Sequence, residues 1–302
     1  MTSLRSWPMA VTALAAWLCC VNARAETTGL VLDRVIVQDG EGAPLKTPEG
    51  VACSDGGPLV IADTGNGRLL LFVYQGGTLQ GGVVVKHPQM TYPTSVQIDS
   101  KGNLLVLDRR TRKLLRLDPK GAMLGPVEIR ASGSKTSVVP TAFDLDAADG
   151  IYVLDTGSGR VVVADAAGVA TRQIPLPKGK SAFEDLYVDG AGTIYVLEGL
   201  TATVWAAGRG EQAFKAIGPS LKDRVSFPSR ITGSRGRLTL TDHNGHGLVV
   251  LGTDGSFQGR QLSLGANEGL VNYPSQVCID SLGTVFVADT GNNRVQVFSS
   301  SK

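Results

Sequence analysis

The sequence predicts an all-β fold, a six-bladed β-propeller of four-stranded antiparallel blades whose ring is closed by an N-terminal strand that completes the last blade. Three observations predict it. One pattern recurs six times at intervals of 43 to 47 residues, anchored at Asp63, Asp108, Asp155, Glu198, Asp242 and Asp289, and a period of that length marks a stacked or ring-shaped array. Glycine is abundant (38 of 302 residues) while charged residues make only 19%, a mix that suits short strands joined by tight turns, and no stretch after the first 25 residues has helical periodicity. The last copy stops at Phe298, too close to the end for an outer strand, while a spare strand precedes the first copy.

Taken from the start, Met1 to Trp7 carries one cation, Arg5, and an apolar run from Met9 to Val21 leads to Asn22-Ala23-Arg24-Ala25. That is the plan of a secretory signal peptide, residues 1–25, cleaved near Ala25. The apolar run is too short for a membrane span, and the bulky Leu18 before Cys19 argues against lipoprotein processing. The expectation is an exported chain, periplasmic or secreted, with residues 26–302 forming one propeller domain and no membrane span. The segment removes two of the 29 basic residues, which leaves the charge balanced against 27 acidic ones. A chain so balanced is not a nucleic-acid binder.

Leu30 to Val37 has no repeat of its own. It fits the missing outer place of the sixth blade, so that no sheet edge is left open at the seam. Each copy then supplies a first strand, a turn with glycine, a second strand ending on the anchor carboxylate, and a third strand. Thr-Gly-Asn-Gly after Asp63, Thr-Gly-Ser-Gly after Asp155 and Thr-Gly-Asn-Asn after Asp289 supply residues that tolerate positive φ, as a hairpin requires. Third strands such as Leu69-Leu70-Leu71-Phe72-Val73 are apolar at consecutive positions, as strands buried on both faces are. A more variable fourth strand, as at Gly82 to Val85, precedes each new copy.

The sixth copy, Pro274-Ser-Gln-Val-Cys-Ile-Asp280 followed by Gly283 and Val285-Phe-Val-Ala-Asp-Thr-Gly-Asn-Asn-Arg-Val-Gln-Val-Phe298, resembles the NHL repeat. The likeness extends over nearly the whole chain after residue 25, and it is closest in copies one, three and six. It implies a six-bladed propeller and an exported, bacterial-type member of that family. It implies little about function, because propellers of this kind include scaffolds, RNA-binding modules, sensor ectodomains and enzymes.

Asp63 with Arg68, Asp155 with Arg160 and Asp289 with Arg294 lie five apart, as do Asp108 and Lys113. A carboxylate ending a strand accepts hydrogen bonds from the turn behind it, so this repeated ladder is scaffold rather than active site. Function belongs where the copies differ. Copy two places Arg109, Arg110, Arg112, Lys113 and Arg116 on one hairpin, a patch that suits an anionic ligand or acidic partner. Copy five places His243 and His246 three apart beside Asp242. They make a partial zinc-ligand pattern, but a structural zinc site takes four fixed ligands, and the hairpin reads as a polar tip. At the start of the first strands, Glu49, Thr94, Thr141, Glu184, Ser229 and Ser275 occupy equivalent positions near the channel mouth. Glu49 and Glu184, with Asp185 and Arg230 beside them, are candidates for binding a ligand or a divalent cation. No cofactor and no metal site is otherwise expected.

Cys53 and Cys278 fall in the first strands of copies one and six, and the expectation is two reduced, buried thiols acting as small hydrophobes. No nucleophile motif, phosphate-cradling loop or Cys-x-x-Cys is present. The sequence therefore points to a monomeric binding or interaction scaffold that presents one face of the disc to a protein or small ligand. The alternative is a propeller enzyme, either a metal-dependent lyase of the peptidylglycine type or a lactonase-like hydrolase.

Overall fold

A computed structural model describes residues 29–130 and 137–300; the signal-like segment, residues 1–25, lies outside them. The described chain forms six four-stranded antiparallel sheets. The innermost strands are Gly50–Cys53, Pro93–Ile98, Ala142–Leu145, Phe183–Val188, Pro228–Ser234 and Pro274–Ile279. Each is followed outward by the next two strands in sequence, and in five blades by a third. The sixth blade takes its outer strand from the other end of the chain. Leu30–Ile36 pairs antiparallel with Arg294–Ser300, with Leu30 opposite Ser300 and Ile36 opposite Val295.

Apolar clusters lie between adjacent blades, which is why the middle strands lack alternation. One cluster packs Leu59, Ile61 and Leu70 of blade one against Phe286, Val295 and Val297 of blade six. Another packs Val60, Ala62 and Leu69, on the opposite face of blade one, against Val96, Val106 and Leu115 of blade two.

The two sulfurs at the seam are not thiols. Cys53 and Cys278 form a disulfide with a Cα–Cα distance of 5.9 Å. Innermost strands of adjacent blades converge on the channel axis, which brings the two positions within bridging range. Their alternate places along their strands turn one side chain toward the next blade and the other back toward it.

Every anchor carboxylate is buried: Asp63, Asp108, Asp155, Glu198, Asp242 and Asp289 are at most 1% exposed. Arg68 Nε donates to Asp63 at 2.6 Å, Arg294 Nε to Asp289 at 2.7 Å and Arg160 Nε to Asp155 at 3.2 Å. Four anchors also accept backbone N–H groups from the loop entering their own blade: Lys46 on Asp63, Thr91 and Tyr92 on Asp108, Ser226 and Phe227 on Asp242, Asn272 on Asp289. The carboxylate thus ties strand entry to the hairpin. The Asp108–Lys113 pairing suggested by spacing does not form. Lys113 is exposed, and Asp108 accepts the Thr111 hydroxyl instead at 3.0 Å. Blade five lacks the ladder cation, and Arg260 from its outer strand replaces it, 2.8 Å from Asp242.

Replacing Asp289 with alanine strands the buried groups that converge on it, including Arg294, Gln296 and the Asn272 N–H. Losing one partner of a buried ion pair costs about 3–5 kcal/mol. Chemical denaturation of Asp289→Ala is expected to show a loss of that size, and a midpoint unchanged from wild type would contradict the scaffold role.

Candidate functional site at the channel mouth

The residue just after the proline position in each first strand faces one end of the channel. In blades two, four, five and six the register slips there, at Thr94, Glu184, Ser229 and Ser275. A bulge leaves its extra residue unpaired and re-aims its side chain. Glu49 and Thr141 occupy the same place in the other two blades, where their N–H groups pair with Ala62 and Leu154. All six of these positions line one cavity of about 790 Å3.

The hairpins behind the anchors rise around the same mouth and add Arg109, Arg112, Thr156 and His243 to its lining, together with Arg230 from blade five. The arginine hairpin of copy two, the mouth carboxylates and one histidine of copy five, separate candidates in the sequence, therefore converge. Phe183, Phe227, Leu107, Val139 and Pro140 supply apolar wall.

Glu49 accepts the Tyr92 hydroxyl at 3.3 Å. Burial pushes the Glu184 carboxyl up, while the charges of Arg230 and Arg109 pull it back down. Arg230 is also 3.5 Å from Asp185. Arg109 and Arg112 are exposed, and neither side chain makes a hydrogen bond to a described residue. Ser229 Oγ is buried without a partner among the described residues. Three guanidinium groups share the cavity with two carboxylates, so the mouth disfavours the divalent cation considered for Glu49 and Glu184. Among the described residues no three His, Cys, Asp or Glu side chains are grouped to hold a metal ion.

Arg112 sits in a backbone conformation that costs an arginine. The fourth residue after each anchor has positive φ in all six blades: Gly67 (60°), Arg112 (54°), Gly159 (65°), Ala202 (48°), His246 (54°) and Asn293 (54°). Glycine and asparagine occupy that conformation readily; an arginine does so at a cost.

Two other candidates fall outside the cup. Arg110 lies over the Tyr92 ring, 5.8 Å from its centre. His246 Nδ1 accepts the Tyr273 N–H at 3.1 Å, and its ring packs edge-on against Tyr273. His243 instead donates from Nδ1 to the Pro274 carbonyl, 2.9 Å away, which leaves Nε2 of the neutral ring as an acceptor. With one Nδ1 donating and the other accepting on the same loop, the two histidines clamp Tyr273 rather than share a metal.

Further along the innermost strands lies a smaller cavity of about 70 Å3, lined by Asp144, Asp185, Gln97 and Gln276. The innermost strands are sheet edges, and side chains cap their free N–H groups. Gln276 Oε1 accepts from Val51 at 3.3 Å, Asp144 from Val188 at 2.9 Å and Asp185 from Ile231 at 3.0 Å, while Gln97 donates to Asp144 at 2.9 Å. Desolvation raises the Asp144 carboxyl to about 7 and Asp185 to about 6. A carboxyl raised on folding makes the folded state bind the extra proton, so its contribution declines as pH rises from the unfolded value near 4 through the folded one. Once Asp144 is fully ionised the cost approaches about 4 kcal/mol. Asp144→Asn is therefore expected to gain stability relative to wild type between pH 5 and 8; parallel denaturation curves across that range would refute the assignment.

Residues 271–298 match the family model of the NHL repeat, so the sixth blade carries an NHL repeat. The whole fold is similar to that of a streptogramin B lyase, with a TM-score of 0.65 and 13% identity over 90% of this chain and 98% of that one. It is similar also to virginiamycin B lyase from Staphylococcus aureus, at 0.60 and 13% over 84% of this chain and 95% of that one. A gluconolactonase from Xanthomonas campestris gives 0.66 and 15% over 90% and 89%. At such identities the likeness establishes the six-bladed propeller and nothing further. No curated protein sequence gives a significant match. Among the described residues no helix is long and apolar enough to cross a membrane.

Proposed function

We propose that the protein is a binding module and that the cup at the channel mouth is its site for a small anionic ligand. The observation that carries this reading is the convergence of Arg109, Arg112 and Arg230 on a walled cavity where they outnumber Glu49 and Glu184. Guanidinium groups recognise carboxylate and phosphate through paired N–H donors, and two of these three have no hydrogen-bonded partner within the described protein. The protein acts as a monomer outside the cytoplasm. The signal-like N-terminus supports export, and so does the Cys53–Cys278 bridge, since such bonds persist in oxidising compartments. Nucleic acid is not its partner, because basic and acidic residues balance once the signal-like segment is set aside.

Arg112→Gly tests the assignment with two readouts of opposite sign. Glycine relieves the positive-φ position, so stability is expected to rise by about 0.5–1 kcal/mol. Saturable protection against thermal unfolding by phosphate and by small carboxylates is expected to fall at least tenfold in apparent affinity. If that protection is intact in both Arg112→Gly and Arg109→Ala, the mouth is not the anion site.

A second reading, a lyase or hydrolase on the same scaffold, draws support from the fold likeness and from His243, which lines the cavity with Nδ1 held by the Pro274 carbonyl so that Nε2 is its other ring nitrogen. Metal analysis of the purified protein separates a metal-dependent enzyme from the binding module: a stoichiometric, tightly held ion would shift the assignment to the enzyme.

A further inference from the structure

The cup is not built for a simple anion alone. A small carboxylate needs only the arginines, and Glu49 and Glu184 would repel it. Those two side chains become useful only if the same ligand also brings hydrogen-bond donors. Glu49 has one bond, from the Tyr92 hydroxyl, and a carboxylate has about four acceptor sites. His243 Nε2 adds a further acceptor, and the unpartnered Ser229 Oγ a group that both donates and accepts.

The donors can be ammonium groups or hydroxyls, and charge decides between them. Arg230 is shared between Asp185 and Glu184, while Arg109 and Arg112 have no carboxylate partner among the described residues. An ammonium reaching Glu184 would meet guanidinium groups already there; a neutral hydroxyl would not be repelled. Thr94, Thr141 and Ser275 donate their hydroxyl protons to the Leu107, Leu154 and Glu49 carbonyls, so what they offer a ligand is acceptor lone pairs, which hydroxyl donors suit. Phe183 and Phe227 offer aromatic surface to the C–H edges of a ring that is apolar between its hydroxyls. At about 790 Å3 the cavity lies within the usual range for small-molecule sites.

We infer that the ligand of the mouth is a polyhydroxylated anion, a sugar bearing a carboxylate or a phosphate, with its charged group on Arg109 and Arg112 and its hydroxyls on Glu49, Glu184 and His243. This rests on the mouth being the anion site, and it assigns each class of lining residue a partner on one molecule.

Calorimetric titration of the purified protein with D-glucuronate, D-glucose 6-phosphate, D-glucose, propionate and inorganic phosphate tests it. At least one of the two anionic sugars is expected to bind at least tenfold more tightly than glucose, propionate and phosphate. A preference for glucuronate marks the carboxylate as the charged group, and a preference for glucose 6-phosphate marks the phosphate. Arg109→Ala is expected to reduce that affinity at least tenfold. Glu49→Ala is expected to weaken the anionic sugar about fivefold while leaving propionate no weaker, a split that general loss of folding cannot produce. If propionate or phosphate binds as tightly as the anionic sugars, the inference is overturned and the anion site stands. If glucose matches them, or if none of the five binds, the inference and the anion site fall together.

Discussion

Removing the N-terminal strand Leu30–Ile36 is expected to cost about 5 kcal/mol of stability. Its six paired positions form the outer edge of blade six. Ile36 is fully buried, and Leu30 and Leu32 pack on the cluster around Val285 and Phe298. Three aliphatic side chains at about 1.5–3 kcal/mol for full burial, discounted because two are only half-buried, give that figure. It is a large share of the roughly 5–15 kcal/mol that holds a whole domain. Deletion also exposes the backbone donors and acceptors of Arg294–Ser300, an invitation to pair with another chain. Loss of monomeric protein and a much lower melting temperature are expected together. A deletion variant that melts like the full chain would show that the ring closes without this strand.

Loss of the Cys53–Cys278 bridge is expected to cost about 3–5 kcal/mol. The bond spans 225 residues of sequence, and the chain-entropy penalty removed from the unfolded state grows slowly with loop length. The variant that tests this is Cys53→Ala/Cys278→Ala, which leaves no lone thiol behind. Both positions are half-buried among apolar neighbours, so alanine creates only a small void. Denaturation midpoints of this variant and of wild type under reducing conditions should coincide and lie well below that of oxidised wild type. If the double variant is as stable as oxidised wild type, the bridge contributes nothing to the seam.

The architecture was legible because each repeat carries a carboxylate closing the second strand, and copies one, three and six add a turn built for positive φ. Even the mouth ring could be found, since aligning copies sets Glu49 and Glu184 against Thr94, Thr141, Ser229 and Ser275. What spacing does not reveal is where a bulge turns a side chain, and so the arginine hairpin and the mouth carboxylates were two candidates in the sequence and one cavity in space. His243 and His246 show the opposite failure. Three residues apart on a hairpin tip, they look like a pair, but one donates to the next blade's backbone and the other accepts from it. Asp144 left no signal at all. Its equivalents are Ala52, Gln97, Tyr187, Thr232 and Cys278, so no pattern marks it, and its raised carboxyl arises from burial at the waist. The replacement of a missing ladder cation by Arg260, eighteen residues after Asp242, is equally invisible, because it comes from the variable outer strand. The disulfide turned on side-chain parity, which in the sequence permits two cysteines to face each other or to face apart.

Both devices that lock the seam join the beginning of the described chain to its end: Leu30–Ile36 waits for Arg294–Ser300, and Cys53 waits for Cys278. The partners stand at opposite ends of the described chain, so five blades can form while the disc still has an open side. Closing the ring therefore needs the last strand, and until it pairs the arc has unpaired edges at both ends. A premature stop anywhere before blade six would yield a product with two raw edges rather than a smaller ring.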